Sequence, residues 1–264
     1  MQNILITGCS SGIGLQTAIT LKEQGLKVYA SARKDEDVEM LKNLGFETFK
    51  IDVTNKSDII NAFNIILEND KKLDAVFNNA GFGQPGAVED VTTDVLKEQF
   101  ETNFFGLHEV TIQAMKIFRK QNYGKIIQHS SVLGIISLKF RGAYNASKYA
   151  IEGINDTLRQ EVMGSNIFIS TINTGPVTSK FRENGLIKFN ENIDIENSHF
   201  TKIYKKELKA RLETKEDKAP FNLPATSVAN IVLKIMNTKK PKPRYYVTKA
   251  TYLLGFFKRV LTTS

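Results

Sequence analysis

Three residues in the middle of the chain have the types and spacing for proton transfer. Ser131 ends the run "GKIIQHSS", and Tyr144 and Lys148 follow in "YNASK". A spacing of four on a helix puts Tyr144 and Lys148 on one face. A free tyrosine titrates near ~10, and a neighbouring ammonium favours its phenolate. A serine hydroxyl can donate a hydrogen bond to an oxygen that gains negative charge. The spacing itself is cheap: with 8 tyrosines in 264 residues, about one such pair arises by chance. Tyr245 and Lys249 make a second pair. Only Tyr144 opens a long helix just after a strand that ends in serine.

The N-terminal stretch "NILITGCSSGIGLQTA" (3–18) supports two chemistries. Gly8, Gly12 and Gly14 give G-x-x-x-G-x-G, a turn that lets the backbone approach a pyrophosphate at a helix N-terminus. Gly8 to Gly12 also reads G-x-S-x-G, a nucleophile elbow at Ser10. The elbow needs an earlier strand and loop for its oxyanion hole, and an acid and a histidine downstream. Only one strand precedes Ser10, and none of His108, His129 and His199 sits in an evident loop after a late strand. The phosphate turn needs only the strand before it and the helix after it. Its plain alternative is a tight turn in which glycine supplies positive φ.

The elements that must position these groups alternate from end to end. Apolar strands fit 3–7, 27–31, 46–51, 73–81, 124–131, 166–175 and 244–248. Helical spacing fits 13–25, 35–45, 56–70, 92–121 in one or two pieces, 142–163 and 225–237. Strands that are apolar throughout, separated by amphipathic helices, predict a doubly wound parallel sheet. Parallel strands deliver Ser131, Tyr144 and the glycine turn to one edge. Residues 180–224 break the alternation and read as an irregular, basic insertion or lid with interleaved phenylalanines. No linker divides the chain, so residues 1–264 read as one domain.

Composition excludes several classes. One cysteine, Cys9, forms no disulfide framework, and the histidines show no metal-ligand spacing. Met1 leads directly into a strand, without a signal sequence. These features suit a cytoplasmic protein, with a place at the inner face of a membrane left open. Residues 1–179 carry a net −2 and residues 180–264 a net +10. No zinc-finger or RNA-binding signature accompanies that charge, so nucleic acid is not an expected partner. The tail 250–264 carries Leu253, Phe256, Phe257 and Val260 on one helical stripe beside Lys249, Lys258 and Arg259. It is too short to span a bilayer. Packing on the domain or a second subunit is expected ahead of a membrane surface.

With these motifs in order, the chain resembles the short-chain dehydrogenase/reductase family over residues 3 to about 180, and more loosely over 225–248. The resemblance leans to the NADP-dependent branch of steroid and retinol dehydrogenases and bacterial aldehyde reductases. It implies a Rossmann-type doubly wound parallel sheet of about seven strands, a three-layer αβα single domain. It implies that Gly8, Ser10, Ser11, Gly12, Ile13 and Gly14 form the cofactor turn. Asp52 and Val53 would meet the adenine, and Asn79, Ala80 and Gly81 belong to the fourth-strand motif "NNAG". Gly175, Val177 and Ser179 in "NTGPVTS" would meet the nicotinamide amide. Thr174 departs from the family's usual proline. The catalytic set would be Asn103, Ser131, Tyr144 and Lys148. Lys148 would also hold the nicotinamide ribose, and Asn103 would position a water in a proton relay. Plainer roles exist: Ser131 as a strand cap with Ser130 as its rival, Asn103 as a helix cap or kink, Tyr144 as a surface aromatic.

The second strand decides the cofactor. An NAD site places an acid about 20 residues after the glycine turn, on the ribose 2′-hydroxyl. Here Ala32 holds the place of the acid, and Arg33 and Lys34 follow. A guanidinium can fork onto a 2′-phosphate, so NADP(H) is expected. Asp35, Glu36 and Asp37 are the rival ribose acids, although acids in a helix's first turn also complement its dipole. Leu133, Ile136, Phe140, Phe181 and Phe189 would line an apolar pocket for a lipophilic carbonyl or alcohol. Phe181 and Phe189 serve equally well as core anchors of the insertion. The expected function is NADP(H)-dependent hydride transfer with Tyr144 as proton donor or acceptor, in a homo-oligomer (dimer or tetramer). An NADP-binding sensor without turnover is the alternative.

Overall fold

The computed structural model describes residues 1–208, 210, 213 and 221–260. Its centre is one seven-stranded sheet, ordered β3-β2-β1-β4-β5-β6-β7 with every neighbour parallel. The strands are β1 (Asn3–Ile6), β2 (Lys27–Ala32), β3 (Glu47–Lys50), β4 (Ala75–Asn78), β5 (Gly124–Ser131), β6 (Ile167–Thr174) and β7 (Arg244–Tyr246). All seven fall where apolar runs predict them.

Helices cover both faces, which is why the strands are apolar on both sides. Ile4 and Ile6 face one layer, with Leu21 of α1 (Gly12–Glu23), Leu41 of α2 (Asp35–Asn43) and Val232 of α8 (Thr226–Asn237). Leu5 points the other way, into a layer with Phe63 of α3 (Lys56–Asp70) and Phe118 of α5 (Leu107–Gln121). That two-residue alternation is the pleat of a strand. Between α4 (Thr93–Phe100) and α5 lies a π-helical turn, Glu101–Gly106, so 92–121 is one helical run with a widened turn inside it. α6 (Gly142–Glu161) follows β5. The order reverses between β1 and β4, which opens a crevice at the carboxyl ends of the strands.

The insertion is more ordered than its sequence suggests. Its first part is α7 (Phe181–Asn192), followed by a short turn at Thr201–Ile203 and a π turn at Tyr204–Leu208. A satellite core of Ala87, Phe189, Ile193, Tyr204 and Leu208 fastens it to the loop after β4. The Ala87 N–H donates to the Tyr204 hydroxyl (2.7 Å), which in turn donates to Asp90. Residues 209, 211, 212 and 214–220 of the insertion lie outside the described residues, as do 261–264 of the tail.

The tail forms α9 (Lys249–Val260). Thr251 and Gly255 are its buried positions, whereas Leu253, Phe256 and Phe257 are exposed. Those three residues of the expected stripe therefore do not pack on their own domain; small residues seat the helix instead. The side chains of Arg259 and Val260 lie outside the description. Among the described residues no helix is long and apolar enough to cross a membrane.

Candidate active site

The glycine turn is shaped by close approach. Gly8 has φ +71°, and a Cβ there would lie 2.8 Å from the Ala80 Cα. The turn is thus pressed against the end of β4. Asn79 holds it there: its Nδ2 donates to the carbonyls of Thr7 (3.0 Å) and Gly8 (2.9 Å). The Thr7 hydroxyl accepts from the N–H groups of Asn79 and Ala80. At Gly14 a Cβ would fall 2.2 Å from the Gly8 carbonyl oxygen, so the helix can start this close to the turn only with glycine. Ser11 makes no capping bond from its side chain. The first N–H groups of α1 therefore face the turn without that partner, as an anion site needs. Ser10, Ser11 and Ile13 are half-buried around it. Ser179 lies against Gly12, which brings the 175–179 segment over the same turn.

The rest of the expected cofactor track lines the same crevice. Ala32 is buried at the end of β2, and Arg33 and Lys34 emerge exposed. Lys34 pairs with Glu36 (3.1 Å), and Asp35 pairs with Lys50 (2.7 Å). Two of the three rival ribose acids are thus engaged with lysines. Asp52 accepts from the N–H and hydroxyl of Thr54 through one oxygen. Val53 is buried against Gly106. Gly175 abuts Thr248, and Val177 bridges to Leu223. The glycine turn, the end of β4 and the 175–179 segment meet at one edge of the sheet, the crevice in which a doubly wound sheet holds a dinucleotide.

At the end of β5, Ser131 lies opposite Thr174 of β6. Its hydroxyl accepts from the Leu133 N–H (3.1 Å) and donates to the Thr174 carbonyl (3.4 Å). The strand-cap bond is thus made, and the same hydroxyl lies within hydrogen-bond reach of Tyr144. The rival, Ser130, is buried with an unpartnered hydroxyl close to Gly134. Tyr144 is buried in the first turn of α6. Burial pushes its pKa up to about 12, against smaller downward pulls from the Ser131 hydroxyl and the Arg141 charge. The Lys148 Nζ sits 5.5 Å from the Tyr144 ring and donates to the His129 carbonyl (2.7 Å). Burial holds Lys148 down to about 8, partly offset by Glu152 one turn further on. Against the lowering expected from the ammonium, burial raises Tyr144, and the phenol keeps its proton at neutral pH.

Asn103 rides on the π turn. Its Nδ2 donates to the Phe82 carbonyl (2.8 Å) and the Ser147 hydroxyl (3.3 Å), and its Oδ1 accepts from the Phe82 N–H (3.0 Å). It staples the loop after β4 to α6. The second Tyr–Lys pair lies apart: Tyr245 is on β7, and its hydroxyl accepts from the Lys242 N–H.

The structure adds a residue that the sequence argument passed over. His129 lies inside β5 with its ring between Asn79 Oδ1 (3.0 Å at Nδ1) and Thr174 Oγ1 (2.9 Å at Nε2). Burial pushes its pKa down to about 3, so the ring is neutral. His129 joins the glycine turn, through Asn79, to Lys148 and to the 175–179 segment. Thr174 has a partner that a proline could not offer. The signal in the sequence was the period of two along β5, which puts His129 and Ser131 on one face.

The apolar candidates separate into two groups. The Phe181 ring meets Tyr144 edge-on at 5.1 Å and rests on Gly83, where a Cβ would come within 2.5 Å. Leu133 is buried just past Ser131. Phe140 has φ +60° and packs on Phe200 and Tyr204 while lining a cleft of about 800 Å³ with Leu138, Tyr149 and Val88. Phe189 is fully buried in the satellite core and belongs to the anchor, not to the pocket.

Comparison with known proteins agrees with this geometry. The short chain dehydrogenase family model matches residues 2–186. The chain is 36% identical to the Escherichia coli K12 protein YbbO, an uncharacterized oxidoreductase, over 98% of this chain and 90% of that one. It is 32% identical to bovine retinol dehydrogenase 8 over 68% and 60% of the two chains. Serine dehydrogenase complexed with NADP+ superposes with a TM-score of 0.79 at 19% identity, over 95% and 96% of the chains. A Burkholderia phymatum relative in complex with NAD superposes at 0.76 and 22% identity, over 93% and 88%. The chain is a short-chain dehydrogenase/reductase, an oxidoreductase family that includes the retinol-dehydrogenase-like branch.

Proposed function

We propose that the protein interconverts a lipophilic aldehyde or ketone and its alcohol with NADP(H). The observation that carries this reading is the meeting of Ser131, Tyr144 and Lys148 beneath Phe181, at the sheet edge that also holds the glycine turn. A reduced nicotinamide bound in the crevice supplies the hydride. Tyr144 is protonated at neutral pH, so it serves as the acid that delivers a proton to the carbonyl oxygen. Ser131 donates a hydrogen bond to the same oxygen as charge develops there. Lys148, held by the His129 carbonyl, is placed to favour the phenolate that remains and to bind the ribose. Asn103 keeps the loop after β4 and α6 in register around them.

Arg33 supports NADP(H), because it emerges exposed directly after Ala32, which holds the place where an NAD site presents an acid. Phe181 and Leu133 give the site an apolar wall, and α7 acts as its lid through Phe181. The groove of about 520 Å³ between α5 and α6, lined by Leu107, Ile112, Met115, Ile154 and Leu158, supports self-association. The experiment is NADPH and NADH consumption, followed by absorbance, against apolar and polar carbonyls of graded size. The reading requires turnover of apolar carbonyls with preference for NADPH. Tight NADPH binding without turnover of any carbonyl would favour a sensor instead.

A further inference from the structure

Helix α9 is built inside out for a helix that covers a core. It is seated by small residues: Gly255 lies against the Tyr246 ring, and Thr251 shares a hydrogen bond with Thr248 (3.0 Å). Of its large side chains, Tyr252 meets the Tyr246 ring edge-on at 5.2 Å and Leu254 is half-buried, while Leu253, Phe256 and Phe257 point away. Tyr252, Leu253, Phe256 and Phe257 follow i, i+1, i+4, i+5 and are 59%, 49%, 61% and 42% exposed. A core helix turns such a stripe inward. A cluster of exposed aromatic and aliphatic side chains marks an interaction surface.

Charge selects the occupant. Nine Lys and Arg residues and no Asp or Glu follow Asp217. Lys249 and Lys258 bracket the stripe, and Lys258 lies over the Tyr149 ring at 4.4 Å. A second copy docked on this face would bring lysines against lysines, with no acid on α9 to neutralise them. An anionic lipid surface offers the opposite charge together with an apolar layer for the stripe. Twelve residues extend only ~18 Å, well short of the ~30 Å of a bilayer core, so the helix would lie in the plane of the surface.

We propose that α9 is an interfacial helix that docks the protein on anionic bilayers. It begins at the carboxyl end of β7 and rests on Gly175 through Thr248 and Thr251. The docked edge is therefore the one that holds Tyr144. Delivery of an apolar substrate from the lipid follows only if the reductase reading above holds; the docking itself does not depend on it.

The test is co-sedimentation of the full-length protein with phosphatidylcholine vesicles, with and without phosphatidylglycerol. The protein should sediment with the anionic vesicles, and added salt should release it. The double variant Phe256→Ser/Phe257→Ser should lose about tenfold or more in vesicle partitioning, with its circular-dichroism melt retained. Lys249→Glu should weaken binding to anionic vesicles with the stripe intact, which covers the case in which the double variant folds poorly. Absence of binding to anionic vesicles would overturn the proposal. So would a lipid-free dimer that the double variant converts to monomer, since a second copy would then cover the stripe. Neither readout uses turnover, so docking and reductase readings fail separately.

Discussion

Replacing Lys148 by methionine should change how the stability of the cofactor-free protein depends on pH. Burial holds the Lys148 ammonium down to about 8, against 10.5 for an ordinary lysine. Below pH 8 both folded and unfolded chains carry the charge, and the fold bears the full cost of enclosing it. Between about 8 and 10.5 the unfolded chain binds the proton that the folded one has lost. Stability therefore rises with pH across that window. At ~1.4 kcal/mol for each tenfold, the gap corresponds to about 3 kcal/mol. Lys148 is only 6% exposed, so solvent screening takes little from this figure. Methionine keeps the apolar stem and removes the charge. It also removes the bond to the His129 carbonyl, a loss of about 1 kcal/mol that is the same wherever the amine is bonded. The assay is urea unfolding of both proteins at intervals from pH 7 to 11. Titration of the surface lysines is common to both and cancels in the difference, and below pH 10 Tyr144 keeps its proton in the folded and unfolded chains alike. The stability of wild type minus variant should be level below pH 8 and climb by about 3 kcal/mol by pH 10.5. A level difference across the whole window would refute the claim that the ammonium is buried at a cost.

Three further outcomes follow from the same geometry. Arg33→Ser should raise the KM for NADPH by about 10- to 30-fold, the lower part of what a charge-assisted hydrogen bond gives, and leave the KM for NADH unchanged in steady-state assays. Burial keeps His129 neutral to about 3, against 6.5 ordinarily. Its contribution is therefore complete above pH 6.5 and is lost as pH falls from 6.5 toward 3, where only the unfolded imidazole takes a proton; urea midpoints of His129→Asn should depend less on pH over that range. Phe189→Ala should cost about 3 to 5 kcal/mol, because the ring is fully enclosed among Tyr204, Ile193 and Ala87, and thermal melts should show the loss.

Regular elements were legible because their signals are local. Apolar runs mark all seven strands, and the order of strands and helices assigns the glycine turn, "NNAG" and "YNASK" to one sheet edge. Helix α7 was not legible. "FRENGLIKFNEN" contains Gly185 and three asparagines and no continuous apolar stripe, so its order depends on partners of Phe189 beyond the helix, chiefly Tyr204 with its ring 5.2 Å away. The outward face of α9 was misread for a related reason. Helical spacing shows that a stripe exists and says nothing about which side meets the domain; Thr251 and Gly255 decide that by their small size. The direction of the Tyr144 shift needed burial, which no spacing reveals. His129 carries no motif signal because it acts from within a strand, through Asn79 and Thr174.

The proposed reaction stands on Tyr144 delivering the proton. The direct measurement is NADPH consumption with an apolar aldehyde or ketone that the wild type reduces, repeated with Tyr144→Phe, with NADPH affinity measured separately by fluorescence. Removing a positioned proton donor should lower kcat by about 10²-fold or more and leave NADPH affinity within about twofold, since the ring and its contact with Phe181 remain. A variant that binds NADPH normally and turns over at the wild-type rate would contradict the account.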